Sequence, residues 1–417
     1  MITLSHPTTN NNVREVALAL LEAGLLETFH TCIAPCGGNF FDRISALPGL
    51  GEIRRRECHP GLRPKLRLHP WLEAIRLATR DSGPSLHVYH VYKSLDRAVA
   101  RHVGGQAGIR GVYCFEDGAL ETFRRAKRTG AACLYDLPIA YWRTVRRLSE
   151  EERDRLPEWA PTLRSLFDSA EKLRRKDEEM ALADAILCPS RFVEESLPEA
   201  VRREKRIYVA PFGSPCVAVP PSDDSHFRSP KLKVLFVGVM TQRKGLADLF
   251  AAMRLLDPAR YELHILGSLM AAPSFYRSQG TFIHHAGRPS GQVLELMSRC
   301  HVLVLPSLAE GRSLVLQEAM ACGLPVVVTR NTGAEDLVAD GKAGFLVPMR
   351  DSQAIAQRLE QLGRDRDLLA AMSAAARSKA ASLPWDGYRS LVVDAVRSAV
   401  AEAAGHGSVP GPQSDQS

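Results

Sequence analysis

The densest structural signal in this chain lies in residues 301–348, HVLVLPSLAEGRSLVLQEAMACGLPVVVTRNTGAEDLVADGKAGFLVP. The apolar run Val302–Leu305 predicts a buried strand, which Pro306 ends. After a loop, the pattern predicts a helix over Leu314–Cys322 and another strand over Pro325–Thr329. A strand, a helix and a second strand in this order are typical of a parallel sheet covered by helices.

The loop before the predicted helix carries two features that suit a sugar nucleotide. The start of a helix offers unpaired N–H groups and a partial positive charge, which favour a phosphate. Glu310 stands just before that start, and Glu318 lies on the helix eight positions later. Each carboxylate can accept paired hydrogen bonds from a vicinal diol, one on a sugar and one on a ribose. By spacing alone, a helix cap at Glu310 and a surface residue at Glu318 are the favoured explanation, since two glutamates near a helix are common.

A second segment supplies positive charge. In residues 234–249, VLFVGVMTQRKGLADL, a strand ends at Gly238, and a loop carries Arg243, Lys244 and Gly245 into a helix. A departing nucleoside diphosphate develops negative charge, which a fixed cation beside a helix start stabilises. Lys244 is therefore the predicted phosphate ligand, and Arg243 is either a second ligand or a solvated arginine. The string G-x-x-x-x-G-K-[ST] is absent from the sequence, which argues against a P-loop nucleotidase.

Together these segments resemble the signature of glycosyltransferase family 4. Glu310-x7-Glu318, continuing through Ala319–Val327, matches the family's E-x7-E pair and its EAMACGLPVV run, and Lys244-Gly245 matches its Lys-Gly. The resemblance implies the glycosyltransferase B fold, in which two Rossmann-like α/β domains face each other across a cleft. It also implies a retaining transfer of a sugar from a nucleotide-sugar, with UDP-sugars favoured over GDP-sugars and neither metal nor other cofactor required.

The resemblance assigns roles to the residues of both segments. Glu310 is expected to orient the donor sugar, Glu318 to hold the ribose, and Lys244 to stabilise the diphosphate as a catalytic cation. The remaining donor-site residues are expected to line the nucleotide-sugar through backbone amides or a further cation: Gly238, Arg243, Gly311, Arg312, Ser313 and Leu314.

The first half of the chain departs from the family at the position of a histidine. In many members that histidine ends a first-domain strand and approaches the donor sugar, whereas here the strand Val112–Phe115 is followed by Glu116 and Asp117. The acidic pair marks a distinct subgroup. Asp117 either contacts sugar or acceptor hydroxyls, as a catalytic residue, or caps the helix predicted over Gly118–Arg128. A second departure is Val239, where the family often has an arginine.

Two more loops are candidates for the acceptor side of the cleft. The first follows the opening strand and contains Asn10, Asn11 and Asn12, which tolerate unusual dihedrals and offer hydrogen bonds, in a site or in an ordinary turn. The second is the end of the strand Ala132–Tyr135, where Asp136 is predicted to face the cleft.

Strand and helix patterns alternate along most of the chain, which predicts two α/β domains. In the first domain, the pattern predicts strands over Thr31–Ala34 and Leu86–Val91 and a helix over Glu150–Met180. The predicted organisation is an acceptor-binding domain over 1–215, a Pro- and Ser-rich linker over 216–230, a nucleotide-sugar-binding domain over 231–383, a helix over 384–402 that crosses back to the first domain, and a disordered tail over 403–417.

Composition sets the class of protein and its partners. The 417 residues are 45% hydrophobic and 24% charged, which is typical of a soluble enzyme, and no signal peptide or membrane span is predicted, so the cytoplasm is expected. Nine cysteines show no spacing of a disulfide framework or zinc site. Residues 1–148 hold 21 Lys and Arg against 13 Asp and Glu, a surplus that suits an anionic membrane surface, a phosphate-bearing acceptor or nucleic acid, or is a solvated face.

The predicted partners are a nucleotide-sugar donor and a glycan or lipid-linked acceptor, with the inner face of a membrane as a peripheral location and with nucleic acid not expected. Cell-surface polysaccharide synthesis is the expected process. The alternatives are a nucleotide-sugar epimerase, an inverting transferase, and a non-catalytic protein that keeps the donor fold as a binding partner.

Overall fold

The structure, a computed structural model, describes residues 1–45, 51–79, 87–217, 224–287 and 290–406. Within them, buried apolar runs form the strands of two parallel sheets. The first sheet consists of β1 (Ile2–Ser5), β2 (Leu26–Thr31), β3 (Leu66–Leu68), β4 (Gly111–Phe115), β5 (Ala132–Asp136), β6 (Ala185–Cys188) and β7 (Arg206–Val209). The second consists of β8 (Leu232–Val237), β9 (Tyr261–Leu266), β10 (Ile283–His285), β11 (Val302–Leu305), β12 (Val326–Val328) and β13 (Gly344–Leu346).

Both sheets have the strand order of doubly wound folds. The first runs β3-β2-β1-β4-β5-β6-β7 and the second β10-β9-β8-β11-β12-β13, with parallel neighbours throughout. In each sheet the order reverses beside the strand that opens it, β1 or β8, and ligands of such sheets bind at the carboxyl ends near that point. The predicted fold class, two Rossmann-like α/β domains, is confirmed.

Helices follow most of the strands. Those of the first half are α1 (Asn11–Glu22), α2 (Phe40–Ser45), α3 (Gly51–Arg54), α4 (Trp71–Ala78), α5 (Val88–Gly105), α6 (Leu120–Thr129), α7 (Trp142–Arg155), α8 (Ala170–Leu182), α9 (Arg191–Ser196) and α10 (Glu199–Glu204). Those of the second half are α11 (Asp224–Phe227), α12 (Leu246–Arg254), α13 (Pro273–Gln279), α14 (Ser290–Ser298), α15 (Leu314–Ala321), α16 (Ser352–Arg364), α17 (Arg366–Ala381) and α18 (Trp385–His406). Across the described ranges, no helix is both long enough and apolar enough to span a bilayer.

The last helix belongs to the core of the first domain although it follows the second. On α18, Tyr388, Val392 and Val396 are buried in the cluster that also contains residues of β1 and α1. The helix continues to His406, so residues 403–406, predicted to be disordered, are helical, and the rest of that predicted tail lies outside the described residues. Residues 218–223 of the predicted linker also lie outside them.

Three predicted elements of the first half are wrong. The chain over 88–91 begins helix α5 instead of forming a strand, and Leu86 lies outside the described residues. The strand predicted over Thr31–Ala34 does not form, since only Thr31 lies in a strand, as the last residue of β2.

The helix predicted over Glu150–Met180 is in fact α7 and α8 separated by two 3-10 turns, Pro157–Thr162 and Arg164–Phe167. Proline cannot continue an α-helix, and Pro157 follows α7 almost directly. The first turn places Trp159 in the hydrophobic core of the second domain, where its ring meets Phe275 edge to face with centroids 4.9 Å apart. A segment of the first domain is thus anchored in the second.

Candidate active site

The loop that opens α15 brings one carboxylate against two cations. Glu310 Oε1 lies 2.7 Å from Lys244 Nζ and 3.1 Å from Arg243 Nη1. Burial by itself would raise the pKa of Glu310, but the charges of Arg243 and Lys244 outweigh it and lower that pKa to about 2. Glu310 is therefore ionised at neutral pH and acts only as a hydrogen-bond acceptor.

Glycines shape the loop that carries the cations. Gly238 directly follows β8 with φ +145°, and a Cβ there would lie 2.8 Å from Cδ and Cε of Lys244, so the lysine stem rests on the glycine backbone. Gly245 has φ +71°, and a Cβ there would lie 2.0 Å from the carbonyl oxygen of Pro306. The loop after β8 approaches the loop after β11 this closely only because position 245 is glycine, and glycine at position 238 leaves room for the Lys244 stem.

The helix start leaves several backbone donors unused. The amides of Gly311, Arg312 and Leu314 make no hydrogen bond to any part of the chain that the structure describes. The amide of Ser313, by contrast, donates to the carbonyl of Thr332 at 3.2 Å. Three free N–H groups beside two cations form a site suited to an anion.

The side chain of Arg312 contacts the segment that follows β12. Its guanidinium is buried and pairs with Asp336 at 2.6 Å, and it also contacts the carbonyl of Gly333 at 3.4 Å. Arg312 therefore stabilises the segment after β12 through Nη1, while its Nε and Nη2 are buried without a hydrogen-bond partner among the described residues.

Glu318 is a half-buried carboxylate without a partner. No hydrogen bond or ion pair joins its side chain to a described residue, and burial raises its pKa to about 7. It lies four residues after Leu314, on the same face of α15, and Leu314 packs against the core of the first domain. The carboxylate thus lies near the contact between the domains, with both oxygens available to a hydrogen-bond donor.

The two domains touch at this point. A Cβ on Gly311 would lie 1.8 Å from the carbonyl oxygen of Pro138, which follows β5. Ser190 Oγ, just after β6, donates a hydrogen bond of 2.6 Å to the carbonyl of Gly311. The loop with the predicted donor residues therefore sits directly against the carboxyl ends of two first-domain strands.

Asp117 lies at the same edge of the first sheet but does not cap the following helix. Its carboxylate is 3.6 Å from Lys176 and 3.7 Å from Lys172, and its φ of +73° is unusual for a non-glycine residue. The start of α6 is capped from another helix, since Glu179 accepts hydrogen bonds from the amides of Ala119 and Leu120 at 3.0 and 3.2 Å.

Glu116, the other residue of the acidic pair, is buried and pairs with Lys176 at 2.8 Å. Directly after β4, this chain therefore holds a carboxylate neutralised by a buried lysine.

The loop candidates for the acceptor side differ in exposure. Asn10 and Asn11 are exposed at the start of α1, where Asn11 accepts a hydrogen bond from Arg14, while Asn12 is buried. Asp136 is also buried and accepts a hydrogen bond of 2.7 Å from Tyr113. Burial raises the pKa of Asp136 to about 7 despite that hydrogen bond. Of these candidates, only Asn10 and Asn11 present side chains to solvent.

Behind the cations lies a set of buried hydrogen bonds made by Thr241 and Gln242, which we name the brace and which the sequence did not indicate. Gln242 is fully buried, and its Nε2 donates at 2.8 Å to both Glu152 of α7 and Asp248 of α12. Thr241 Oγ1 donates to the carbonyl of Thr162 at 2.6 Å, and the Gln242 amide donates to Thr162 Oγ1 at 3.1 Å. Residues of the first domain thus fix the two positions that precede Arg243.

Glu152 is the centre of this brace. Its fully buried carboxylate pairs with Arg155 at 2.8 Å and with Arg350, which comes from the second domain. No local signal could have found these contacts, because each partner of Glu152 in the second domain is 90 or more residues distant in sequence. Among the described residues no group of three or more His, Cys, Asp or Glu is placed to hold a metal ion.

Comparison with known proteins relates the second domain to glycosyltransferases. Residues 222–379, which contain Lys244, Glu310 and Glu318, match the sequence profile of the family "Glycosyl transferases group 1". The chain is 33% identical over 215 residues to D-inositol 3-phosphate glycosyltransferase of Paenarthrobacter aurescens, covering 47% of this chain and 52% of that protein. It is 31% identical over 144 residues to the capsular polysaccharide biosynthesis glycosyltransferase CapM of Staphylococcus aureus, covering 32% and 37%. These matches thus span about half or less of each relative.

Solved structures share the fold over nearly the whole chain. Sucrose-phosphate synthase from Thermosynechococcus elongatus superposes with a TM-score of 0.66 at 17% identity, covering 96% of this chain and 99% of that one. HepE from Anabaena, in complex with UDP and glucose, superposes with a TM-score of 0.62 at 14% identity, covering 95% and 99%. At such identities the likeness establishes the glycosyltransferase B fold and nothing finer.

Proposed function

We propose that the protein is a retaining glycosyltransferase of the family 4 type, of a subgroup with Glu116 and Asp117 in place of the usual histidine. It would transfer a sugar from a nucleotide-sugar to a glycan or lipid-linked acceptor, in cell-surface polysaccharide synthesis. The observation that carries this proposal is the arrangement around α15. Glu310 pairs with two cations, amides at the helix start are unused, and the carboxylate of Glu318, one helical turn further along, has no partner among the described residues.

Each part of a nucleotide-sugar has a complementary group in this arrangement. The diphosphate suits Lys244, Arg243 and the free amides, since charge-assisted hydrogen bonds to phosphate are strong. The hydroxyls of the donor sugar suit Glu310, which is held ionised and accepts without donating. The ribose diol suits Glu318, whose two oxygens lack partners. UDP is the favoured nucleotide, in keeping with the UDP-bound complexes of HepE, a protein of the same fold.

The chemistry that follows is transfer with retention at the anomeric carbon. The bond from that carbon to the diphosphate oxygen breaks, through an oxocarbenium-like state, while Lys244 and Arg243 stabilise the negative charge of the leaving group. The acceptor oxygen forms its bond on the same face, and its proton passes to the departing phosphate oxygen. In this proposal the neutralising charges come from side chains, so neither metal nor other cofactor takes part.

The acceptor and the location are proposed on broader grounds. The relative CapM is named for capsular polysaccharide biosynthesis. The basic first domain suits an acceptor carried on an anionic membrane, so the proposed location is the cytoplasm, at the inner face of the membrane.

Nucleotide binding and donor hydrolysis test the assignment. Lys244→Ala and Glu318→Ala are compared with wild type by isothermal titration with UDP and GDP and by hydrolysis of a panel of nucleotide-sugars. Lys342→Ala is the control, because Lys342 is an exposed lysine of the second domain outside the site. Both site variants should lose at least about tenfold in nucleotide affinity, while the control keeps it. Unchanged affinity in both site variants would remove the assignment, and analysis of the product anomer decides between retention and inversion.

A further inference from the structure

Helix α4 exposes an apolar face to solvent. Trp71 is 81% exposed and Ile75 is 52% exposed, and Ala74 and Ala78 on the same helix are also exposed. Their spacing of three, four and seven residues places all four on one side of the helix. Large side chains of this kind are normally buried, and exposed groups of them mark interaction surfaces.

The opposite face of the helix holds it in this orientation. Leu72 and Leu77 pack on the buried cluster that contains Ile53 and Val91. Glu73 is buried and pairs with Arg56 from the segment after α3 and with Arg76, 2.7 Å away. Since α4 is fixed by packing and by ion pairs, the exposure of Trp71 is a built feature of the fold.

Neighbouring helices extend the apolar surface. Phe40 on α2 is 69% exposed, and Val88 on α5 is 41% exposed. The next residue of α2, Phe41, and Val91 of α5 belong to the same buried cluster under α4. Four of the exposed large apolar side chains therefore stand on three helices that pack around one cluster, and we name this set the α4 surface: Phe40, Trp71, Ile75 and Val88.

The surroundings of the α4 surface are basic. Residues 37–79 contain eight Lys and Arg and four Asp and Glu, so the segment carries a surplus of four positive charges. Arg43, Arg54 and Arg67 are exposed and form no ion pair with a described residue. An apolar face with an aromatic residue and a basic rim is complementary to an anionic bilayer, where the rings enter the interface and the cations meet the headgroups.

The α4 surface lies beside the cleft. Helix α4 begins three residues after β3 ends, so it leaves the sheet at the carboxyl edge, where the loop after β1 also leaves it. In strand order β3 is two places from β1, a distance of roughly 10 Å. Thr9 of that loop donates a hydrogen bond of 2.5 Å to the carbonyl of Arg56, whose side chain pairs with Glu73 of α4.

We propose that the α4 surface docks the protein on an anionic membrane and presents the cleft to an acceptor carried by a lipid. This inference deepens the proposed function by locating the acceptor side, but membrane docking itself requires no donor. A sugar acceptor on a lipid headgroup would then meet the loop with Asn10 and Asn11 directly at the bilayer surface.

Vesicle co-sedimentation with the full chain tests the apolar part of the surface. Wild type should bind vesicles of phosphatidylglycerol and phosphatidylcholine in equal parts and bind pure phosphatidylcholine at least about tenfold less. Trp71→Ser combined with Ile75→Ser should weaken binding to the anionic vesicles by about tenfold or more, because two apolar side chains no longer enter the interface. Phe167→Ser is the matched control, since Phe167 is 70% exposed on a different segment, and it should bind as wild type.

Charge reversal tests the basic rim. Arg54→Glu combined with Arg67→Glu should weaken binding by about tenfold or more, whereas Lys342→Glu with Arg228→Glu, two exposed bases of the second half, should not. Equal binding by wild type and the Trp71 variant overturns the inference, as does a dimer in light scattering that the same variant abolishes, because a second copy would then cover the face. Nucleotide titration on the same samples separates the two proposals: if UDP binds and vesicles do not, the docking fails and the transferase assignment stands.

Discussion

The side-chain amide of Gln242 donates a hydrogen bond of 2.8 Å to the carboxylate of Glu152 across the boundary between the two domains. Gln242 is the residue directly before Arg243 and Lys244, so the first domain fixes the loop that carries both cations of the proposed donor site. Trp159, seated in the core of the second domain, anchors the same segment of the first. The position of the cations is therefore tied to the contact between the domains.

Loss of the Gln242 amide should uncouple the cations from the first domain. In Gln242→Ala the hydrogen bonds to Glu152 and Asp248 disappear, at a cost of about 1.5–3 kcal/mol for each bond to a charged group. We expect UDP affinity to fall by about tenfold and the unfolding midpoint to drop. Arg330→Ala is the control, because Arg330 pairs with Glu195 across the same boundary but at an exposed position away from the loop. If titration gave both variants wild-type affinity for UDP, the brace would have no part in donor binding.

Adding a methyl group at Gly238 should displace Lys244. The new Cβ would lie 2.8 Å from two carbons of the lysine stem, and the φ of +145° is a conformation that alanine rarely adopts. We expect Gly238→Ala to reduce turnover by about one to two orders of magnitude, because the displaced lysine no longer stabilises the negative charge that the leaving group develops in the transition state. The measurement is hydrolysis of the nucleotide-sugar identified in the panel.

Gly387→Ala provides the comparison, since that glycine lies in α18 with no atom within 4 Å of an added Cβ. Equal turnover in the two alanine variants would show that the lysine tolerates the new methyl group.

The sequence predicted the second domain more fully than the first, and the reason is physical. There, Val302–Leu305 is a short apolar run and Tyr261–Leu266 alternates apolar with polar residues, and both strands lie where they were predicted. In the first domain, Val88–Val91 has the same apolar character but opens the long helix α5, because a short apolar run fits a strand or a buried helix turn equally well.

In the candidate site, too, some contacts could be predicted from the sequence and others could not. The pairing of Glu310 with Lys244 joins two loops 66 residues apart, which the resemblance to glycosyltransferase family 4 predicted to be parts of one donor site. The cap of α6 by Glu179 and the brace at Glu152 could not be predicted, since each depends on how separate helices pack. Local pattern identifies the loops of the site, whereas packing determines what supports them.

The raised pKa of Glu318 predicts opposite effects of pH on stability and on binding. Because the pKa rises from 4.5 to about 7 on folding, the folded protein holds this proton more tightly than the unfolded chain. The stability that the neutral group confers is present below about pH 4.5 and is lost as pH rises through 7. Glu318→Gln, which stays neutral, should be more stable than wild type at about pH 8 by on the order of 1–3 kcal/mol, and no more stable near pH 4.

Binding of UDP should run the other way, since a ribose diol is accepted best by the ionised carboxylate. The affinity of wild type for UDP should rise between about pH 6 and 8, and protons should be released on binding. Calorimetric titration in buffers of different ionisation enthalpy measures the number of protons released. Asp136, whose pKa is also about 7, is present in both proteins and cancels from the comparison. A variant Glu318→Gln with the same pH dependence of UDP affinity as wild type would assign the proton to another group.

The contact of Gly311 with Pro138 predicts that closure of the domains depends on the absence of a side chain. A Cβ at position 311 would lie 1.8 Å from a backbone oxygen, which cannot move aside as a flexible side chain could. In Gly311→Ala the loop with Glu310 must therefore withdraw from the first domain, breaking the 2.6 Å hydrogen bond from Ser190 to the Gly311 carbonyl. Such overpacking typically costs about 1–3 kcal/mol, which for a domain of this size lowers the unfolding midpoint by several degrees.

Small-angle scattering of Gly311→Ala should show a larger radius of gyration, and UDP titration should show a weaker affinity. The control Gly387→Ala should instead gain about 0.5–1 kcal/mol of stability, because a helical glycine is replaced by alanine. An unchanged radius with full UDP affinity would mean that the loop accommodates the methyl group without separating the domains, and that the contact does not govern the site.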